Sequence, residues 1–268
     1  MNRRRPAALA LAAMGLFVAC QAAPPPTTLT DPREILAAAA TTTAAAHSVR
    51  IDATADGTLS LDLLGVGAPS PVELTGTTVS ADLDIDGGDG RATFSAPGLL
   101  GLTGEVIVLD GKLYFKTTLT GQLYRVQDIG MDVPAASGEA RATVLKGLPD
   151  LLANPTLRPA KGEDVECGGT TCYRVDITLT PADLAALGAG DLEAPTGLPI
   201  PIAIPDLSAA TIDLRVLVAK DSTRLNGLEA TIDLGGGGGV ATVDLTFSKW
   251  DEAVSISAPP PDQVAPPN

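Results

Sequence analysis

Apolar and polar residues alternate along much of this chain. In Val49-Arg50-Ile51-Asp52-Ala53-Thr54-Ala55-Asp56 the odd positions are apolar and the even ones polar. The pattern continues through Leu59, Leu61 and Leu63, with Thr58, Ser60 and Asp62 between them. A period of two sends neighbouring side chains to opposite faces, so this stretch predicts a long half-buried strand or a bent pair of strands. Val79, Ala81, Leu83 and Ile85 repeat the pattern against Ser80, Asp82, Asp84 and Asp86. The glycine-rich segment 87–90 predicts a turn into a strand at 91–96. Further strands are predicted at 105–109, 112–118 and 123–127, and later at 211–218, 228–234 and 240–247. Asp, Thr and Ser hold the alternate positions, so one face of the sheet is wet, as antiparallel sheets allow.

Helical signals are fewer. Asp31 can cap a helix, Pro32 suits its first turn, and Glu34 stands three residues after the cap. The body, 35–46, is rich in alanine, and His47 follows at its end, where an imidazole favours the helix dipole. Segment 139–153 sets Val144, Leu145, Leu148, Leu151 and Leu152 at helical spacing, with Pro149 among them. Thr180-Pro181-Ala182-Asp183 predicts a short helix running towards Leu187. The fold class is α+β: one curved antiparallel sheet, a half-barrel, with a few helices on its concave face. No linker divides 31–258, which is read as a single domain. Segment 195–205 is too apolar for a linker, and 235–239 is short enough to be a turn. The Pro/Thr-rich stretch before residue 31 and the Pro-rich tail 259–268 are read as extended.

The N-terminus and the cysteines add a compartment. Three arginines in residues 1–5 precede an almost wholly apolar run, 6–19, that is too short to span a bilayer. Cys20, directly after Ala19, resembles the lipobox of bacterial lipoproteins, in which signal peptidase II cuts before the cysteine and its sulfur takes diacylglycerol. This resemblance implies a signal peptide at 1–19 and a lipid anchor at Cys20. It also implies a stalk at 20–30 and a body held on the outer face of the cell membrane. An ordinary cleaved secretory signal is the alternative. Cys167 and Cys172 flank Gly168-Gly169-Thr170-Thr171, between strand-like runs at 163–166 and 173–179. A disulfide across that hairpin fits both the spacing and an exported protein. With three cysteines in all, Cys20 is left for lipid. A metal site would lack a second cysteine pair in a chain with one histidine. A redox motif would need a closer spacing and a following helix.

Charge and composition narrow the function. Cleavage after residue 19 removes three arginines and takes the net charge from -14 to -17. Such a surface repels nucleic acid. It suits a body tethered by two acyl chains, each buried methylene contributing about 0.8 kcal/mol. Aromatic residues make up only 3% of the chain, so Leu, Val, Ile and Ala must fill the apolar face of a wide sheet with few helices to cover it. This composition fits a plainly packed core first, and equally allows an aliphatic cleft suited to acyl chains rather than polar metabolites. Burial there is worth about 25 cal/mol per Å².

Several stretches resemble the LppX/LprAFG family of lipoproteins: Val108-Leu109-Asp110-Gly111-Lys112-Leu113-Tyr114, Gly147-Leu148-Pro149-Asp150-Leu151-Leu152-Ala153-Asn154, the hairpin at 161–177, and Leu245-Thr246-Phe247-Ser248-Lys249-Trp250-Asp251-Glu252. Their collinear order, after the cysteine, the stalk and the first helix, carries the resemblance. It implies a half-barrel like that of periplasmic lipoprotein carriers, binding acylated lipids or glycolipids and moving them through the envelope. A membrane transporter is a further partner it suggests. On the matching strands, the cleft candidates are Leu59, Leu61, Leu83, Ala92, Phe94, Ala96, Val106, Val108, Leu113 and Phe115. The matching helix adds Val144, Leu148 and Leu151. An envelope sensor or scaffold for a protein partner is the rival function. No catalytic residue, cofactor or metal is expected. Asp82-Leu83-Asp84-Ile85-Asp86-Gly87 has the look of a calcium loop, but Thr93 stands where a bidentate Glu is needed, so strand-face aspartates are the expected reading. The glycine run has no Lys-Ser/Thr after it, and no G-x-S-x-G elbow occurs. Trp250 is expected at a sheet edge.

Overall fold

The computed structural model describes residues 28–61, 69–128, 154, 156–186 and 207–266. Helix α1 (Pro32–Ala44) precedes strands β1 (Ser48–Leu61), β2 (Ser70–Glu73), β3 (Thr77–Asp84), β4 (Asp89–Ala96), β5 (Leu102–Leu109), β6 (Lys112–Thr117) and β7 (Arg125–Asp128). Then come β8 (Ala160–Lys161), β9 (Val165–Cys167), β10 (Thr170–Leu179), helix α2 (Pro181–Ala186), β11 (Thr211–Ala219), β12 (Leu225–Asp233) and β13 (Gly239–Ser248). The strands form one open, antiparallel sheet in the order β7-β6-β5-β4-β3-β1-β13-β12-β11-β10-β8, with β2 on β1 and β9 on β10. The expected α+β half-barrel with few helices is the observed fold.

β1 settles the choice between one strand and two. It is a single 14-residue strand. Its partner is the bent element: β2 pairs with the upper part of β1 (Leu59 opposite Val72) and β3 with the lower part (Ile51 opposite Ala81). On its other edge β1 runs beside β13 without a register break, from Arg50 opposite Ser248 to Leu59 opposite Gly239. Gly57 allows this closeness. Its φ is 105°, and a Cβ there would strike the backbone of Val240.

The register sorts the side chains as the alternation demands. Val49, Ile51 and Ala53 share a face with Leu83, Ala81 and Val79, and with Phe247 and Leu245. The same face continues through Leu228, Ala230, Val216 and Leu214 to Val175 and Ile177. The opposite face carries the charges. Arg50 reaches Asp52 (3.2 Å) and Asp82 (3.3 Å), and Arg215 reaches Glu229 (2.6 Å). Asp82 and Asp84 thus sit on a strand, and among the described residues no group of His, Cys, Asp and Glu could hold a metal ion.

Helix α1 closes one half of the apolar face. The Asp31 carboxylate accepts the Arg33 N–H at 2.8 Å, and Pro32 occupies the first turn. Ile35, Leu36 and Ala39 are fully buried in a core with Val49, Val175, Val216, Val218 and Leu225. The Thr42 hydroxyl donates to the Thr223 carbonyl at 2.7 Å, fixing the helix to the β11–β12 turn. Helix α2 is capped reciprocally: Thr180 N–H donates to Asp183, and Asp183 N–H to the Thr180 hydroxyl.

Two single-residue expectations need correction. His47 lies beyond the end of α1 at Ala44 and does not cap the dipole. Its ring nitrogen is 2.7 Å from Asp86, and its N–H donates to Asp251 at 2.8 Å. Trp250 is not at a sheet edge, because β13 is a central strand. Its ring stacks on Phe247 and its indole N–H donates to the Leu225 carbonyl at 3.0 Å. The C-terminal tail runs from the end of β13 to the outer strands. There Tyr124 donates its N–H to Gln263 and accepts from the Ala265 N–H, both at 2.8 Å.

Asp251 joins the start of β1 to the end of β13, taking the His47 N–H and an ion pair from Arg224. These partners hold its carboxyl below the usual value of 3.8. Removing it by Asp251→Ala should lower the unfolding free energy at neutral pH by about 1–2 kcal/mol, read from urea denaturation. A depressed carboxylate stabilises the fold above its unfolded pKa and ceases to do so as pH falls through the folded one. The difference between wild type and variant should therefore shrink on acidification below about pH 4.

Candidate functional site

The apolar face has two unlike halves. Over β10–β13 and β1 it is packed by α1: Val175 and Val216 are wholly buried, and Ile51, Leu214, Leu228 and Leu245 are half-buried against the same core. Across β3–β6 it is only partly covered. Val79 remains 38% exposed, and Ala81, Leu83, Ala92, Phe94, Val106, Val108, Leu113 and Phe115 are half-buried. Both described helices make their contacts with the sheet on the packed half, α1 on β10, β11 and β12, and α2 on β10.

The register brings the strand candidates together on this face. Ala92 stands opposite Ala81 on one side and Val106 on the other. Val106 then faces Phe115, and Val108 faces Leu113. Leu83 is opposite Val49, and Ala96 is opposite Leu102. Ala96, Leu102 and Leu59 are buried, so they are wall rather than surface. Leu61 ends β1 opposite Ser70. Val144, Leu148 and Leu151, like Cys20, lie outside the described residues.

Phe94 has a special place. It lies opposite Val79 and Gly104, and its ring rests over Gly104, where a Cβ would collide with it. The one large ring on β4 therefore lies along the sheet. The face beneath it stays shallow and aliphatic, with no ionisable group from β3, β4 or β5 at the matching positions. Among the described residues the first ionisable group on this face is Arg125 of β7, opposite Phe115 at its margin, and the surface between is aliphatic. It can hold hydrocarbon through dispersion and exclusion of water.

The reverse of the same strands carries a buried carboxylate that periodicity alone did not single out. Glu105 takes an ion pair from Arg91, lies 3.9 Å from Lys116, and accepts the Tyr124 hydroxyl at 2.5 Å. The Lys116 ammonium also sits 4.4 Å from the Tyr124 ring centre. Burial, reinforced by the hydrogen bond to Glu105, pushes the Tyr124 phenol up to about 12. Elsewhere on this face the Ser80 hydroxyl bond holds Asp52 low, and burial beside Glu229 and Asp56 raises Asp244. A hollow of about 390 Å³ opens here, lined by Thr93, Glu105, Lys116, Thr117 and Gln122 among others. It belongs to the polar side, and each charge of the Glu105 cluster is paired within it.

Cys167 and Cys172 form a disulfide with Cα atoms 5.9 Å apart. It crosses the β9–β10 hairpin diagonally, since Cys167 is opposite Thr170 and Cys172 opposite Val165. With Ala219, Val165 and Leu217 it makes a small second core.

An open antiparallel sheet, polar on one face and apolar on the other, with one apolar half left partly uncovered, defines the half-barrel class of fold. The chain belongs to the LppX_LprAFG lipoprotein family, whose profile matches residues 31–256. Two solved structures share the fold. The lipoprotein LppX of Mycobacterium tuberculosis is 16% identical with a TM-score of 0.50, over 84% of this chain and 98% of that one. LprF of Mycobacterium bovis is 19% identical with a TM-score of 0.50, over 85% and 96%. No curated protein matches the sequence. No described helix is long and apolar enough to cross a membrane.

The Tyr124 phenol provides a pH test of the outer strands. Its unfolded pKa is near 10.0 and its folded one about 12. The stability it contributes is complete below the first value and is lost as pH rises through the second. Urea midpoints of wild type should fall more steeply than those of Tyr124→Phe over this alkaline range. Parallel curves would show that the phenol is not held as described.

Proposed function

We propose that this protein binds the acyl chains of membrane lipids or glycolipids against β3–β6 and carries them through the cell envelope without chemical change. The half-uncovered aliphatic face, beside a half whose centre is fully buried under α1, is the observation that carries this reading. Strands that alternate this regularly could have been covered throughout. Leaving Val79, Phe94 and Val106 in partial contact with water is unfavourable by about 25 cal/mol per Å² of apolar surface, which a bound acyl chain would recover. Membership of a lipoprotein family supports the same reading, as does the lipobox-like Cys20, which would hold the body at the outer face of the membrane. The candidates Leu83, Ala92, Phe94, Val106, Val108, Leu113 and Phe115 would touch the ligand. Leu59 and Ala96 would back them. A membrane transporter would load or unload the carrier.

The test is extraction of lipid from the purified mature chain carrying Cys20→Ser, with identification by mass spectrometry. Bound acylated lipid is expected in the wild-type body. Ala92→Trp should remove most of it, because the indole would project between Ala81 and Val106. Phe94→Ala should change the amount or chain length bound while leaving the fold intact by circular dichroism. Repeated preparations free of lipid would instead favour an envelope scaffold that binds a protein partner.

A further inference from the structure

We propose that two neighbouring hairpin tips, 97–101 between β4 and β5 and 118–123 between β6 and β7, insert into the surface of a lipid bilayer. The pairing of Ala96 with Leu102 and of Gly104 with Thr117 places both tips at one end of adjacent hairpins. Leu100 is 94% exposed on the first tip, and Leu119 and Leu123 are 64% and 41% exposed on the second. Leu100 also has a φ of 58°, a left-handed conformation that a leucine adopts only at a cost. Neither exposure nor strain at Leu100 serves the folded state. Both make sense for a side chain kept at the apex of a turn for a contact outside the molecule.

The charge distribution points to lipid rather than protein. The chain carries a net charge of -14, yet no charged residue occurs in 92–104 or in 117–124. The connections at the opposite end of the same sheet are full of charges: Asp84, Asp86 and Asp89 around the β3–β4 turn, Asp110 and Lys112 at the next, Lys220, Asp221 and Arg224 between β11 and β12, and Lys249, Asp251 and Glu252 after β13. At the other end the β4–β5 and β6–β7 turns are neutral and leucine-tipped, while the carboxylates of that end among the described residues, such as Glu73 beside Gly98 and Asp233 before β13, lie outside the two tips. A protein partner would be expected to find polar and charged groups around an apolar centre. These tips offer no charge, and their only polar side chains are the neutral Thr118, Thr120 and Gln122.

Backbone hydrogen bonding supports the same occupant. A segment entering a bilayer must satisfy its own polar groups, since hydrocarbon offers no partners. In the first tip Leu99 N–H donates to Ala96, Gly101 to Pro97 and Leu102 to Leu99, at 2.9–3.0 Å. In the second, Thr118 donates to Thr103 at 3.0 Å, and Thr120 and Gly121 donate to the Thr117 carbonyl at 3.1 Å. The Thr120 hydroxyl accepts the Thr117 N–H at 2.9 Å. The C-terminal tail then pins the second tip at Tyr124, so its apex is held stiffly. From the first tip, Ala96 and Phe94 lead directly down the apolar face. The role of docking, delivery of lipid to or from that face, rests on the carrier reading, whereas the contact itself rests on the tips alone.

The experiment is cosedimentation of the mature chain carrying Cys20→Ser with vesicles of phosphatidylcholine, with and without phosphatidylglycerol. Wild type should bind the zwitterionic vesicles and gain nothing from the anionic lipid, there being no cation on the tips. The double variant Leu100→Asp, Leu119→Asp should bind about tenfold more weakly or worse, since interfacial binding scales with the apolar area inserted. Leu100→Gly separates docking from folding: it relieves the left-handed strain, so its melting temperature should rise while its vesicle binding falls. Unchanged binding in the double variant, absence of binding by wild type, or binding that requires anionic lipid would each overturn the proposal. Lipid content of the same preparations, read by mass spectrometry, keeps the two readings apart. Variants that still carry lipid but no longer sediment isolate the tips, and a lipid-free wild type that still sediments overturns the carrier reading alone.

Discussion

β1 is bonded along both edges, and its alternation governs the faces of every other strand. Ile51 lies between Ala81 and Phe247, and Asp52 between Ser80 and Thr246. Once those pairs are set, a slip of one residue in any neighbour would turn its apolar side chains into water and its carboxylates into the core. The charged ladder on the outside reinforces the choice. Arg50, Asp52, Asp82 and Ser80 interlock across β1 and β3, as do Arg174, Asp176, Arg215 and Glu229 across β10 to β12. Exposed pairs of this kind contribute little each to stability. Their value here lies in register, because the cross-strand members, such as Arg50–Asp82 and Arg215–Glu229, are satisfied in one alignment only.

The two halves of the sheet then differ for a simple reason of supply. α1 brings Ile35 and Leu36 to the half built from β10–β13, where Val175, Ile177, Val216 and Val218 meet them in a dense aliphatic core. Over β3–β6 the strands offer Ala81 and Ala92 side by side, with Gly104 in the next row under the Phe94 ring. Small residues there leave the face low and only partly covered. The same sheet thus carries a packed core on one side of β1 and a half-covered aliphatic face on the other.

Much of this was legible from alternation alone. The strands at 79–85, 91–96 and 240–247 follow a period of two so closely that propensity hardly matters. The short β2 and β8 were not legible, because four and two residues carry no period and exist only as ladders on β1 and β10. His47 looked like the end of an alanine-rich helix. Its partners Asp86 and Asp251 are 39 and 204 residues away, and nothing local announces them. The cluster around Glu105 depends on Tyr124 returning beside β5, and the posture of Phe94 depends on a glycine in the next strand. Both are facts of cross-strand pairing, invisible until the register is known.

The pairing of β1 with β13 has a consequence for how the chain is made. A polypeptide that emerges N-terminus first, from a ribosome or through a membrane pore, presents the middle strand of its sheet at the outset. The neighbour that covers one whole edge of that strand arrives last. Until then a long row of amide groups stands open to mispairing with other chains. Contacts of such sequence separation also form slowly. Completion of the sheet thus becomes a post-synthetic event, since β1 gains its full second edge only when β13 has emerged.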